Sequence, residues 1–336
     1  MTPMRTFAAF GTLAALLAAS LVVSAGIGPF PIAPADVLHA LAAAPFGIPN
    51  DAAATVLFHI RLPRILAAAL AGAALAAAGA AYQSLFRNPL VSPDILGVST
   101  GAGFGAVLGI LLGLNVAAIQ LMGFAGGLAT VAVVLLLARA LRGGGDILVL
   151  VLAGIVVGAL AGAAIALVKV LADPYEQLPA ITFWLLGSLS GIKPQDVAAV
   201  APAIVLGLAA LVLARWRIGV LSLGEEEAQA LGVDTRRTRA LAIGGATLVT
   251  ASAVAISGVI GWVGLMVPHM ARLIVGARFD RLLPASILLG AAFMVMVDTL
   301  ARSAARIEIP LGVLTALIGG PVFVVLLARR RRSLLP

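Results

Sequence analysis

Three consecutive glutamates, Glu225, Glu226 and Glu227, stand in a chain of 336 residues that has only 14 acidic residues in all. They belong to the stretch LSLGEEEAQALGV, residues 221–233. Ser222 and Glu225, with Leu223 and Gly224 between them, fit the S-x-x-E pattern of a capping box, and Gly232 falls where a C-terminal cap would. The spacing predicts a short helix of roughly two to three turns, with the glutamates in the first turn where the helix dipole favours acids. Ala228, Ala230 and Leu231 add small and apolar positions, and Asp234 can cap a second helix running through Arg236, Arg237 and Arg239. Such a helix-turn-helix offers a surface to a protein partner; the plain alternative is a solvated loop with ordinary capping.

Other patterns that carry chemistry are weak or missing. The chain has no cysteine, and its three histidines, His39, His59 and His269, lack ligand spacing, which argues against a protein-bound metal centre. A P-loop needs Gly-Lys-Ser/Thr, yet the two lysines, Lys169 and Lys193, follow Val168 and Ile192. ATP, if it drives this protein, must be bound by another polypeptide. Gly101 to Ala106 fits G-x-G-x-x-A, but no strand precedes it, and helix packing is the better reading. Ser99 and His269 have nothing in sequence to orient them as a proteolytic pair. Asp298 precedes Arg302 by four residues and Lys169 precedes Asp173 by four, both helix-pair spacings.

The elements that must position these residues are membrane helices. The chain is 62% hydrophobic and 11% charged, with mean hydropathy +1.15, well outside the globular range. Windows of about 17 to 25 apolar residues mark ten candidate spans, near 7–27, 65–86, 95–113, 118–138, 147–168, 195–214, 240–257, 259–275, 283–301 and 309–328. The first, although preceded by Arg5 and followed by Val23-Ser24-Ala25, is too long for a signal peptide and reads as an uncleaved span. The eighth contains Pro268, His269 and Arg272 and is expected to be short or broken. An all-α polytopic membrane protein with a single transmembrane domain over 1–336 follows.

With both ends cytoplasmic, sixteen of the 22 bases fall inside. Six, namely Arg61, Arg64, Lys169, Lys193, Arg302 and Arg306, remain on the disfavoured outer face. The net charge of +8 is thus a topological signal and not one for nucleic acid. Span interiors are almost free of charge, whereas ion-coupled carriers place ionisable groups there. Runs such as GAALAAAGAA bring helices close together.

Four stretches together resemble the FecCD-type permeases of ABC importers, which carry iron chelates, haem or cobalamin. They are residues 60–103 (IRLPRILAAALAGAALAAAGAAYQSLFRNPLVSPDILGVSTGAG), 221–233, 257–276 (SGVIGWVGLMVPHMARLIVG) and 308–327 (EIPLGVLTALIGGPVFVVLL). The resemblance implies a ten-span subunit pairing with a second copy or homologue in the bacterial inner membrane. It also implies two cytoplasmic ATPase subunits holding ATP and Mg, a periplasmic binding protein above, and no cofactor on this chain.

Family likeness further assigns ATPase coupling to Ser222, Leu223, Gly224, Glu225, Glu226, Glu227, Ala228, Leu231 and Gly232, within coupling helices at about 221–238. It gives binding-protein docking to Arg61, Arg64 and Arg302, and a cytoplasmic gate to the 143–150 loop at Gly145 and Asp146. RNPLVSPDILG looks closest to ferric siderophore members, with haem, cobalamin and molybdate importers as alternatives. The competing class is an ATP-independent, ion-coupled carrier.

Overall fold

A computed structural model describes residues 3–28, 30–43, 51–141 and 147–332. Gly145 and Asp146 lie outside the described residues. The described chain is helical from end to end. The long elements are α1 (Pro3–Gly26), α4 (Leu62–Leu85), α5 (Val98–Leu111), α6 (Val116–Ala140), α7 (Ile147–Leu171), α9 (Pro194–Leu213), α12 (Thr235–Ser257), α13 (Val263–Val275), α14 (Phe279–Ser303) and α15 (Leu311–Arg332). Shorter ones are α2 (Pro34–Ala43), α3 (Ala52–Val56), α8 (Gln177–Leu186), α10 (Arg215–Leu221) and α11 (Glu225–Ala230).

Each of the ten expected spans falls on one of the long helices. Among the described residues, seven helical runs are long and apolar enough to cross a membrane: Met4–Gly26, Ala52–Leu85, Val116–Ala140, Ile147–Leu171, Pro194–Leu213, Thr235–Ser257 and Phe279–Ser303. The apolar parts of α5, α13 and α15 are shorter. The second run begins at Ala52, well before the expected start near residue 65, because a π-helical turn over Leu57–Arg61 joins α3 to α4. Arg61 and Arg64 lower the hydropathy of that stretch, yet it stays helical because both guanidiniums find partners. The ten-residue α8 was not foreseen: it is too short to register as a span.

α4 forms the axis of the bundle. Nineteen of its 24 residues are buried, against α12, α13, α14 and α9. Its Gly/Ala composition is the cause, since helices without bulky side chains can approach backbone to backbone. Gly72 sits against Gly290 of α14, where an added Cβ would lie 2.1 Å from the Gly290 carbonyl oxygen. Two turns on, a Cβ at Gly79 would lie 1.8 Å from the Gly264 oxygen of α13. Gly101 and Gly105 bring α5 onto α6 in the same way, so the G-x-G-x-x-A pattern is a packing stripe.

Gly79→Ala should therefore destabilise the protein by about 2 kcal/mol or more through overpacking. Gly244→Ala, with open space around its Cβ, should be neutral or slightly stabilising. Thermal unfolding of the two purified variants checks this, and equal midpoints would refute the contact.

Two connections run inside the bundle. Pro93–Leu96 forms a 3₁₀ turn whose Pro93 packs on Gly264, while Ile95 and Leu96 pack on Gly154 of α7. Gln83 fixes it, its Nε2 lying 3.2 Å from the Val91 oxygen, 3.3 Å from that of Gly264 and 3.1 Å from that of Leu265. Between α12 and α13, residues 258–262 are not helical, which shortens the eighth span from its start, while α13 runs unbroken through Pro268, His269 and Arg272.

Candidate functional sites

At the end of the bundle that carries RLPR, four arginines and two acids cluster, and Arg64 and Arg302 tie the acids Asp298 and Glu308 into one network. Arg64, on the first turn of α4, donates from Nε to both Asp298 oxygens at 2.9 and 3.0 Å. Its Nη1 and Nη2 donate to the two Glu308 oxygens at 2.9 and 2.8 Å. The planar fork of arginine permits this double bidentate arrangement, which a lysine could not reproduce. The Asp298 side chain is 0% exposed and that of Glu308 25%. Arg302 lies 3.6 Å from Asp298, one helical turn along α14, as their spacing predicted. Lys169 and Asp173, at the same spacing, form no ion pair among the described residues. Helix α7 ends at Leu171, and Asp173 instead accepts from the Tyr175 and Glu176 amides.

Arg61 and Arg302 hold the segment after α1. Arg61 is buried and donates to the Ala25 and Phe30 carbonyls, and Arg302 to those of Ser24 and Ile27. Gly28 leaves room for both guanidiniums, since a Cβ there would meet Arg302 Nη1 at 2.7 Å and Arg61 Nη2 at 2.8 Å and push the side chains aside. The three arginines singled out in the sequence are thus brought together, each engaged within the chain. Arg306 is exposed and has no ion pair among the described residues. All four line a cavity of about 560 Å³ with Phe30, Ile60 and Glu308. The role of Glu308 was not legible in sequence; its only signal was an acid, scarce in this chain, ahead of Pro310.

At the opposite end, α10, α11 and the start of α12 form a compact corner. The capping box is not made. Ser222 closes α10 and donates to the Gly219 carbonyl at 2.6 Å, and α11 begins only at Glu225, with Gly224 as its N-cap. The Glu227 carboxylate folds back beside Gly224. The helix is six residues long, shorter than the spacing suggested.

Its other end matches the reading. Gly232 takes a left-handed conformation at φ 76°, its N–H bonds Gln229 at 2.9 Å, and the Val233 N–H bonds Ala228 at 2.9 Å, a Schellman motif. Asp234 caps α12 by accepting from the Arg237 amide. Glu225 pairs with Arg239, and Ala228 is fully buried, so α11 is pinned to α12. Glu226, Glu227, Leu223 and Leu231 face outward, the two leucines 65% and 57% exposed. An exposed acidic and apolar knob on a pinned helix is suited to contacting a protein.

A many-helix membrane bundle with a basic cluster at one end, a protruding helical corner at the other and no catalytic constellation among the described residues defines a permease subunit. The FecCD transport family model matches residues 16–329, and the chain belongs to that family. It is 39% identical over 322 residues to the molybdate import system permease protein MolB of Haemophilus influenzae, covering 96% of this chain and 95% of that protein. It is 39% identical to the hemin transport system permease protein HmuU of Yersinia pestis, over 84% and 86% of the two chains. A solved structure described as an inward-facing conformation of a metal-chelate type ABC transporter matches with TM-score 0.87 and 38% identity, covering 98% of this chain and all of that one. The chain is accordingly an ABC importer permease, a pore-forming subunit and not itself an enzyme.

Proposed function

We propose that this chain, paired with a second copy or homologue, carries a bulky metal chelate of the ferric siderophore type from periplasm to cytoplasm by alternating access. Its ends are assigned by charge: the corner carrying Glu225 to Glu227 and both termini face the cytoplasm, and the basic cluster faces the periplasm. ATP and Mg belong to two ATPase subunits seated on the corner, and the chain itself binds no cofactor. The inner membrane is the corresponding location. The observation that supports this most is the match, over nearly the whole chain, to the metal-chelate transporter. A second reading, import of an oxyanion such as molybdate, is favoured by the 96% coverage of the MolB match. Uptake in proteoliposomes containing permease, ATPase and binding protein separates them: ferric siderophore entering and molybdate not supports the first, the reverse the second. Uptake by the permease alone would overturn both.

The basic cluster is proposed to receive acidic residues of the binding protein. Arg61, Arg64 and Arg302 give it a positive field while their hydrogen bonds are spent internally, so reversing them would disturb the fold as well as the field. Arg306 is the clean probe. Arg306→Glu should weaken binding-protein association about three- to tenfold at low salt and less at high salt, mainly through the association rate. Equal affinities for parent and variant at both salt concentrations would refute the docking role.

A further inference from the structure

Glu308 stands between two cavities. On one side lies the basic cavity of about 560 Å³ with Arg61, Arg64, Arg302 and Arg306. On the other lies a cavity of about 410 Å³ lined by Gln120, Phe183, Trp184, Ser188, Asp196 and Ile256, among others. Glu308 lines both. Its carboxylate accepts from Arg64 on one side and from Ser188 Oγ, at 3.0 Å, on the other. The Ser188 amide in turn donates to the Ser257 carbonyl at the end of α12 at 2.9 Å, and the Leu311 amide donates to the Gly187 carbonyl at 2.8 Å. One side chain therefore joins α4, the segment between α14 and α15, and the loop after α8.

We propose that Arg64, Glu308 and Ser188 form a latch that keeps this end of the permease shut, and that releasing Glu308 merges the two cavities into an opening. The two halves of the Arg64 network differ in the way such a device requires. Asp298 is fully buried on a rigid helix, so that half stays fixed. Glu308 is partly exposed on backbone that is not helical from Ala304 to Pro310, so it can leave without breaking a helix. The loop holding Ser188 has glycines at φ 76° and 77° on its two sides, Gly187 and Gly191, which suits it to bend. A carboxylate arriving in the basic cavity would meet Arg64 as a competitor of Glu308. This last step deepens the importer reading and rests on it; the latch itself does not.

The chain has no cysteine, so one introduced thiol is a clean probe. In the purified permease without partners, the reaction of Gln120→Cys with a bulky charged maleimide reports access to the second cavity. Tyr175→Cys, at a position 88% exposed, reports general reactivity. In the parent background Gln120→Cys should react far more slowly than Tyr175→Cys. Adding Glu308→Gln should speed Gln120→Cys about tenfold, from the loss of a charge-assisted bond, and leave Tyr175→Cys unchanged. Ser188→Ala should give a smaller rise, and Arg306→Gln none. An unchanged rate with Glu308→Gln, an equal rise at both probes, or fast reaction in the parent would each overturn the latch. Because no ATPase or binding protein is present, failure of the importer reading would show in transport and leave this result standing.

Discussion

Replacing Arg64 by methionine is expected to cost about 3 kcal/mol of stability, because it removes the main partner of a fully buried carboxylate. Asp298 has no exposed surface, and Arg64 supplies both of its short hydrogen bonds. Arg302 remains 3.6 Å away and keeps the loss from being larger. Methionine retains most of the side-chain volume, so the change reports the charge and not a cavity. Arg64→Lys should fall between, since one ammonium cannot satisfy two carboxylates in fork geometry. The decisive variant is Arg64→Met with Asp298→Asn, which removes both charges and should recover roughly half of the loss. Intrinsic fluorescence from the three tryptophans follows thermal unfolding in detergent. A midpoint for Arg64→Met indistinguishable from the parent would mean that Asp298 is not held as a buried anion.

That network shows where sequence reading stops. Helix positions were legible because a membrane demands long apolar runs, and lipid leaves the backbone few alternatives to helix. The close contacts of α4 were legible as a class from GAALAAAGAA, although which glycine meets which was not. Asp298 and Arg302 were found as a pair because both lie on one helix, four residues apart. The partners of Arg64 stand 234 and 244 positions away, and no local spacing signals them. The same limit explains α8 and the Pro93–Leu96 turn. Each is shorter than a hydropathy window and is held by tertiary contacts, the turn by Gln83 and Gly154 and α8 by Gln177, whose Nε2 donates to the Leu111 carbonyl. At the corner, Gly232 and Asp234 acted as their residue types predict. Ser222 did not, because continuing α10 gave its hydroxyl a carbonyl three residues back before a new helix could use it.

Charge reversal at this corner carries the second large expectation. Glu225→Lys, Glu226→Lys and Glu227→Lys together should abolish co-purification of the proposed ATPase partner from the native membrane, an affinity loss of about a hundredfold or more. Two effects are mixed in that variant, and the structure separates them. Glu225 is spent on Arg239 and pins α11 to α12, so its reversal loosens the corner itself. Glu226 and Glu227 face outward, and reversing only these leaves the pin intact. The pair Glu226→Lys and Glu227→Lys should therefore lose the ATPase while unfolding at the parent temperature. Leu223→Asp with Leu231→Asp should lose it as well, through the apolar part of the same knob, since both leucines are more than half exposed. If the outward pair retains the ATPase and only the Glu225 change releases it, the acids act by holding the helix in place and the leucines make the contact. If every variant retains the ATPase, the partner grips another surface, and the concentration of acids here serves only to start a short helix.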